Sequence, residues 1–185
     1  SASDCFWISI EAVRLATKYM TPVIVLSEGF LVNASEPWKL PDLSTIPEMK
    51  APFRTNPKDY LPYKRNKETL ARDWVRIGTK GLEHTIGGLE KINETGAISQ
   101  DPDNHDLMTR LRAEKVQRVQ NDIPDVEILG DKDADLVLLG WGSAIGSMRA
   151  SAEIIAKSGK KVAIVNLRYI NPFPKNLEKV LKSLK

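Results

Sequence analysis

The side chains best suited to acid–base or metal chemistry cluster in the middle of the sequence. They are two histidines and three carboxylates: Glu83, His84, Asp101, Asp103 and His105. A divalent metal needs histidines and a carboxylate to converge, and this spacing does not place two such ligands on one helix. Either histidine could be a general base, but no nucleophile is identifiable beside it. We predict capping and turn hydrogen bonds here, with polar contacts to a partner or substrate as the alternative, and neither a catalytic residue nor a metal site.

A second candidate site is the glycine-rich segment 140–146, which follows a predicted strand and opens a predicted helix. Backbone N–H groups at a helix start can hold an anion. The candidate anion-binding residues are Gly140, Gly142, Ser143 and Gly146. A dinucleotide fingerprint needs glycine where Ile145 stands, and no acidic residue follows the next strand to bind ribose hydroxyls. We prefer tight strand-to-helix turning as the use of these glycines.

Composition excludes several classes of protein. A formal charge of +3 over 185 residues is too small to indicate nucleic-acid or anionic-membrane binding. The single cysteine, Cys5, excludes an intrachain disulfide framework and an all-cysteine zinc or iron–sulfur site. No apolar run approaches the roughly 18 residues of a membrane span, and no signal peptide opens the sequence. We expect a cytoplasmic globular protein that binds neither nucleic acid nor membrane.

Hydrophobic periodicity predicts an α/β fold. Residues 1–27 predict a helix and then a buried parallel strand at 23–26. Later, strands at 135–140 and 162–165 flank a helix at 147–157, and a last helix follows Pro174. An isolated parallel strand and one βαβα unit leave both predicted sheets short of neighbours. We therefore expect both ends of the chain to interrupt domains.

The middle of the chain is punctuated by proline. Six prolines are spaced four to six residues apart: Pro37, Pro41, Pro47, Pro52, Pro57 and Pro62. This spacing forbids a regular helix and predicts an extended connector, followed by short strands joined by glycine turns. A helix should then begin at Asp101-Pro102. Its inward-facing residues are predicted to be Leu107, Leu111, Val119 and Ile123.

The near-neutral charge averages over blocks of opposite sign. Residues 50–80 carry nine Lys/Arg against three Asp/Glu, whereas residues 81–127 carry five against ten. Basic residues interleaved with Phe53, Tyr60 and Tyr63 could indicate nucleic-acid contact. The acidic block favours pairing between the blocks instead, within the chain or between subunits.

Several segments together resemble the alpha subunit of the 2-oxoacid:ferredoxin oxidoreductases, nearest the 2-oxoglutarate type. The most specific matches are GLEHTIGGLE at 81–90, Thr95-Gly96 and DPDNH at 101–105. Further matches are SDCF at 3–6, KYMTPVIVLS at 18–27, SEPW at 35–38, WGS at 141–143 and NPFP at 171–174. The resemblance covers essentially the whole chain and implies the C-terminal portion of that subunit.

The resemblance implies three parts for the chain. Residues 1–46 would end a thiamine-type pyrimidine-binding domain, and residues 47–127 would form a proline-spaced connector with short strands and a helix. Residues 128–185 would begin a transketolase C-terminal-like parallel α/β domain that is incomplete here.

The activity implied is decarboxylation of a 2-oxoacid on thiamine diphosphate. Electrons would pass through a [4Fe-4S] cluster to ferredoxin, and the acyl group would go to coenzyme A. The family places the diphosphate–magnesium site and the cluster on a beta subunit. This chain should therefore hold no cofactor, be inactive alone, and act with the beta subunit, ferredoxin and possibly further copies of itself.

The resemblance matches four polar residues without giving their role: Glu83, His84, Asn104 and His105. We expect them to order the connector and the alpha–beta interface. The alternative is that His84 faces the entrance for substrate or coenzyme A. A function of a different class stays open, a stand-alone α/β binding module that holds an anionic ligand at the Gly140–Gly146 turn.

Overall fold

The structure is a computed structural model that describes residues 1–46 and 48–184. Its helices are α1 (Ala2–Tyr19), α2 (Gly29–Asn33), α3 (Pro102–Arg118), α4 (Ala144–Ala156) and α5 (Leu177–Ser183). Its strands are β1 (Ile128–Gly130), β2 (Leu136–Trp141) and β3 (Val162–Leu167), and two short 3-10 turns lie at Leu43–Thr45 and Val119–Asn121. The predicted α/β class is confirmed. No helix among the described residues is both long and apolar enough to cross a membrane.

The chain divides into two compact units. The sheet unit comprises Ser1–Ala2, Ser27–Ser35 and Gln120–Lys185. The connector unit comprises Ser3–Leu26 and Glu36–Val119. The predicted three-part division at residues 46 and 127 stays a prediction.

The sheet unit is built around β3. The strand order is β1-β3-β2, with β1 antiparallel and β2 parallel to β3, so that Leu136 pairs with Val162 and Trp141 with Leu167. Because β3 lies in the centre, its apolar run is buried, as expected for β-branched residues between two neighbours. The buried core cluster consists of Val126, Val165, Leu167 and Leu177.

The side-chain amide of Asn176 links the segment before β1 to the segment before α5 by two hydrogen bonds. The Asn176 Nδ2 donates to the Val126 carbonyl at 2.8 Å, and the Val126 N–H donates to Asn176 Oδ1 at 2.9 Å. The amide thus satisfies both backbone groups of a buried residue, as a neighbouring strand would. This contact holds the last helix against the core cluster.

The predicted βαβα unit is confirmed, but the predicted strand at 23–26 is wrong. Residues 23–26 have no strand partner in the described part of the chain, and Ile24 is 82% exposed. An apolar β-branched run becomes a strand when another strand supplies its hydrogen bonds, and none lies beside this run. Apolar periodicity alone could not show that.

The connector unit is organised by α1 and α3. The Tyr19 hydroxyl near the end of α1 donates to the Arg118 carbonyl at 3.2 Å, and the Trp74 indole donates to the Thr17 carbonyl at 2.9 Å. The predicted start of α3 is confirmed, because the Asp101 carboxylate accepts the Asp103 N–H at 3.1 Å ahead of Pro102. The predicted short strands are single β-bridges: Phe53 with Trp74, Tyr63 with Glu94, Arg65 with Arg72, and Lys91 with Ile98.

The buried face of α3 differs from the predicted one. Leu107 is 42% exposed, so its inward placement was wrong, and Met108 is buried in its place. Val119 and Ile123 are buried as predicted. Lys115 lies seven residues after Met108, so a cation occupies the inward face and shifts the apparent apolar stripe. The helix ends at Arg118, and a 3-10 turn follows it, before Pro124 is reached.

Ion pairs do not join the two charge blocks within the part of the chain that the structure describes. Arg54 pairs with Asp73 of its own block at 2.8 Å, and Arg112 pairs with Glu90 of its own block at 3.2 Å. The basic block instead places guanidinium groups against aromatic rings, with Arg72 4.2 Å from the centre of the Tyr63 ring. Pairing of these blocks between subunits stays a prediction.

The exposed apolar side chains predict that the full chain self-associates. Ile24, Leu26, Phe30 and Val32 are 82%, 69%, 75% and 73% exposed, which is costly for large apolar groups in water. We expect light scattering to show an apparent mass that rises with concentration. The variant Ile24→Lys/Leu26→Lys should weaken this rise. A strictly monomeric wild-type chain at high concentration would contradict the prediction.

Candidate functional site

Of the four matched polar residues, Glu83 and His84 lie in one turn, His105 belongs to a second group with Glu90, and Asn104 makes its own contacts. The Glu83 carboxylate accepts the Gly81 N–H at 3.0 Å, and His84 Nδ1 lies 3.0 Å from the Leu82 carbonyl. Backbone hydrogen bonds from Glu83 itself and from Gly81 lower the pKa of this exposed carboxyl. The His84 ring meets Tyr60 edge-on, with ring centres 6.5 Å apart. These contacts are the predicted turn hydrogen bonds.

Asn104 joins α3 to the hairpin at 90–99. Its Oδ1 accepts the Asn93 N–H at 2.9 Å, and its Nδ2 donates to the Lys91 carbonyl at 2.9 Å. The hairpin closes through backbone hydrogen bonds from Ile92 to Ala97 and from Ser99 to Glu90. A residue on the first turn of a helix thus fixes the start of the hairpin, which positions Lys91.

Replacing Asn104 by alanine should destabilise the connector unit. Two half-buried hydrogen bonds are lost and two backbone groups are left without these partners, which costs about 1–2 kcal/mol in the free energy of unfolding. Asn104→Asp is the matched variant, since it keeps the acceptor for Asn93 and loses the donor to Lys91. Urea unfolding should rank wild type above Asn104→Asp, and Asn104→Asp above Asn104→Ala. Equal stability of all three would contradict the prediction.

His105 and Glu90 form the second group. His105 Nδ1 lies 2.9 Å from Glu90 Oε2, and the Arg112 guanidinium lies 3.2 Å from Glu90 Oε1. Burial acts to raise the pKa of Glu90, but hydrogen bonds from Arg112 and His105 hold it below its ordinary value. Glu90 is therefore an ionised carboxylate that already accepts hydrogen bonds from Arg112 and His105.

These residues border a cleft of about 640 Å³ within the connector unit. Its lining is strongly cationic: Arg65, Arg72, Lys91, Arg112 and Lys115 contribute positive charge, and Glu90 contributes negative charge. Apolar side chains complete the walls, among them Met20, Met108 and Leu111. A cavity of this size with a few charged groups suits a small molecule.

Lys115 is one of two cations, with Arg112, that α3 contributes to this cleft. Its Nζ donates to the Met20 carbonyl at 2.9 Å. Burial, together with repulsion from Arg72, Arg65 and Arg112, lowers the pKa of Lys115 to about 8. The cleft therefore holds more positive charge than Glu90, its one lining carboxylate, can neutralise.

Tyr63 packs against two arginines of the cleft, Arg65 and Arg72. The Arg72 guanidinium lies 4.2 Å and the Arg65 guanidinium 5.9 Å from its ring centre. Arg65 also donates to Asn93 Oδ1 at 2.7 Å. Gly96 keeps the ring in place, because a Cβ there would lie 2.9 Å from the Tyr63 ring, and its φ of +75° suits glycine.

The glycine turn at residues 140–146 lies in the sheet unit, and the Glu28 carboxylate lies beside it. Gly142 takes a left-handed φ of +62°, and α4 begins two residues later. The Ser143 hydroxyl donates to the Glu28 carboxylate. A Cβ on Gly140 would meet the Met148 sulfur at 2.9 Å, so this glycine permits close packing of α4 on β2. An external anion would have to displace Glu28, and anion binding at Gly140, Gly142, Ser143 and Gly146 stays a prediction.

His105 lies with Glu90 and Arg112, whereas His84 contacts the Leu82 carbonyl and the Tyr60 ring. No group of three or more His, Cys, Asp or Glu side chains that could hold a metal occurs among residues 1–46 and 48–184. The sequence reasoning missed the cationic cleft. A lysine on the inward face of α3 was the local signal that could have indicated it.

Comparison with known proteins identifies the family. A family model described as pyruvate flavodoxin/ferredoxin oxidoreductase, thiamine diphosphate-binding, matches residues 1–104. The 2-oxoglutarate oxidoreductase subunit KorA of Mycobacterium tuberculosis is 48% identical over 183 residues, which cover 98% of this chain and 28% of that protein. The alpha subunit of 2-oxoacid:ferredoxin oxidoreductase 1 of Aeropyrum pernix is 29% identical, over 93% of this chain and 27% of that protein.

A solved structure has the same fold. It is 2-oxoglutarate:ferredoxin oxidoreductase from Magnetococcus marinus with 2-oxoglutarate, coenzyme A and succinyl-CoA bound, and it matches with a TM-score of 0.87 and 28% identity. The match covers 99% of this chain and 32% of that one. The chain therefore spans about a third or less of the length of these relatives.

The magnesium that accompanies a diphosphate takes carboxylate and other oxygen ligands. No group of three or more His, Cys, Asp or Glu side chains converges among the described residues. The cationic cleft carries one carboxylate, Glu90, which Arg112 and His105 occupy. The match over residues 1–104 confirms the predicted resemblance. The chain belongs to the pyruvate flavodoxin/ferredoxin oxidoreductase family.

Proposed function

We propose that this chain is part of the alpha subunit of a 2-oxoglutarate:ferredoxin oxidoreductase. The observation that carries the proposal is the 48% identity, along 98% of the chain, to a 2-oxoglutarate oxidoreductase subunit. The complete enzyme would release CO2 from 2-oxoglutarate on thiamine diphosphate and transfer the succinyl group to coenzyme A. Electrons would leave through a [4Fe-4S] cluster to ferredoxin, and magnesium, thiamine diphosphate and the cluster would be held outside this chain.

Within that enzyme, the chain would serve as scaffold and subunit interface. Its polar motif residues are used for internal hydrogen bonds, as Asn104 shows with contacts of 2.9 Å to both Asn93 and Lys91. Its exposed apolar side chains offer surface for a beta subunit or for further copies of the chain. The assembled enzyme would work in the cytoplasm.

The experiment is acceptor reduction by the complete enzyme that contains this chain. We expect reduction of ferredoxin to require both 2-oxoglutarate and coenzyme A, and to be faster with 2-oxoglutarate than with pyruvate. Loss of assembly in His84→Ala with unchanged turnover of the residual complex would favour the interface role. A changed KM for 2-oxoglutarate or coenzyme A with normal assembly would favour the entrance role. Unchanged assembly and turnover would contradict both roles.

A stand-alone module that binds an anion at the Gly140–Gly146 turn is the weaker proposal. The Glu28 carboxylate already accepts the Ser143 hydroxyl at that turn. The match of essentially the whole chain to enzyme subunits supports the oxidoreductase instead.

A further inference from the structure

We infer that the cationic cleft of the connector unit binds a small oxyanion with two or more negative charges, of the phosphate or dicarboxylate class. The inference does not depend on the enzyme activity proposed above. It rests on the charge balance of the cleft, on the hydrogen bonds that fix its cations, and on its size.

The charge balance leaves a large positive excess. Five Lys and Arg side chains line the cleft against one carboxylate, Glu90. Arg112 and His105 occupy that carboxylate at 3.2 and 2.9 Å. Within the described part of the chain, no carboxylate lies within ion-pair distance of the remaining four cations. These are Arg65, Arg72, Lys91 and Lys115.

Neutral acceptors hold three of these four cations in place. Lys91, which is 2% exposed, donates to the carbonyls of Gly87 and Leu89. Arg65 donates to the Tyr63 carbonyl and to Asn93, and Lys115 donates to the Met20 carbonyl. Carbonyl and amide oxygens orient a cation without neutralising it. The charge of the cleft is thus positioned and left uncompensated.

Arg72 is a half-buried arginine of the cleft whose guanidinium packs against an aromatic ring. Its guanidinium lies over the Tyr63 ring at 4.2 Å, and no acceptor for it occurs among the described residues. Stacking fixes the plane of the group while its N–H edges stay available for a bidentate contact to an oxyanion. A lysine ammonium has three donors, and Lys115 uses one of them on Met20.

The size and the electrostatics agree with a small multivalent anion. A volume of about 640 Å³ is that of a metabolite site. Burial first, and then repulsion from Arg72, Arg65 and Arg112, lowers the pKa of Lys115, and an anion that binds among these cations relieves the repulsion. A monoanion would leave most of the net positive charge of the cleft unneutralised, whereas a dianion would neutralise more of it.

The experiment is isothermal titration calorimetry of the full chain at pH 8 and constant ionic strength, with pyrophosphate in one arm and succinate in the other. The variants are Arg72→Gln and Lys115→Met. Arg110→Gln is the control, because Arg110 lies on α3, is exposed, pairs with Asp106, and does not line the cleft. We expect at least about a tenfold loss of affinity for the preferred probe in both cleft variants, and a change below about twofold in the control.

Measuring proton uptake on anion binding distinguishes direct binding beside Lys115 from a loss of affinity caused by a change of structure in the variants. Bound anion should raise the pKa of Lys115, so wild type should take up protons on binding at pH 8, as read from titrations in buffers of different ionisation enthalpy. Lys115→Met should bind without this uptake, and circular dichroism should show it folded. Preference for pyrophosphate indicates a phosphate ligand, and preference for succinate a dicarboxylate. No binding of either probe, or equal loss in Arg110→Gln, would overturn the inference.

Discussion

Replacing Lys115 by methionine should stabilise the connector unit at neutral pH in the absence of anions. Lys115 is a half-buried cation, and burial together with repulsion from Arg72, Arg65 and Arg112 lowers its pKa to about 8. Folding therefore disfavours the charged form of the side chain. Methionine keeps the length and removes the charge, and we expect the free energy of unfolding to rise by about 1–2 kcal/mol after allowance for solvent screening.

The pH dependence of this gain has a defined sign. The pKa of Lys115 is about 8 in the folded chain and 10.5 when the side chain is free in water, so the unfolded chain binds more protons between these two pH values. Stability of wild type therefore rises with pH through this window. Below pH 8 the penalty is complete, and the advantage of Lys115→Met should be largest. Above about pH 10.5 it should shrink to the uncharged packing difference.

Urea unfolding at pH 7 and at pH 10.5 measures this difference directly. Other groups of the cleft also face Lys115, including Lys91, Glu90 and His105, but they are present in both proteins and cancel in the comparison. Arg110→Gln again serves as the exposed control and should show little change with pH. A stability difference between wild type and Lys115→Met that is constant over this range would contradict the account of the cleft charge.

Replacing Gly130 by alanine should unfold much of the sheet unit. Gly130 ends β1 with a φ of +90°, and a Cβ there would lie 2.4 Å from the backbone oxygen of Val162. Backbone of the central strand cannot move aside as a side chain can, so β1 must separate from β3. We expect a loss of about 3 kcal/mol or more in the free energy of unfolding.

Gly159→Ala is the matched control for this prediction. Gly159 has a similar φ of +82°, but a Cβ there would have no heavy atom within 4 Å outside its chain neighbours. It should therefore cost about 1–2 kcal/mol, from backbone strain alone. The difference between the two variants in urea unfolding isolates the steric contact with Val162. Equal losses would show that strand packing at Gly130 contributes nothing.

The parts of the fold that were predictable are those determined by local residues. The strands at 136–141 and 162–167 contain the apolar runs 136–139 and 162–165, and the start of α3 combines the capping Asp101 with Pro102. The run at 23–26 has the same apolar character and forms no strand. Its structure depends on a neighbouring strand, which no local pattern can reveal.

The cationic cleft could not be predicted because its residues are distant in sequence. Arg65 and Arg72 come from the basic block, whereas Lys91 and Lys115 come from the acidic block. Counting charge by blocks therefore led to expected ion pairs, while the fold places the cations of both blocks around one cleft. Lys115 was the exception, because its position seven residues after the buried Met108 marks a cation on the inward face of a helix.

We propose that this chain belongs to an enzyme that decarboxylates 2-oxoglutarate. The most direct measurement is release of labelled CO2 from 2-oxoglutarate labelled at the carboxyl carbon next to the keto group, using the complete enzyme that contains this chain. We expect release that requires thiamine diphosphate, coenzyme A and an electron acceptor, and that exceeds release from labelled pyruvate. No release from 2-oxoglutarate by a fully assembled, cofactor-loaded enzyme would contradict the claim.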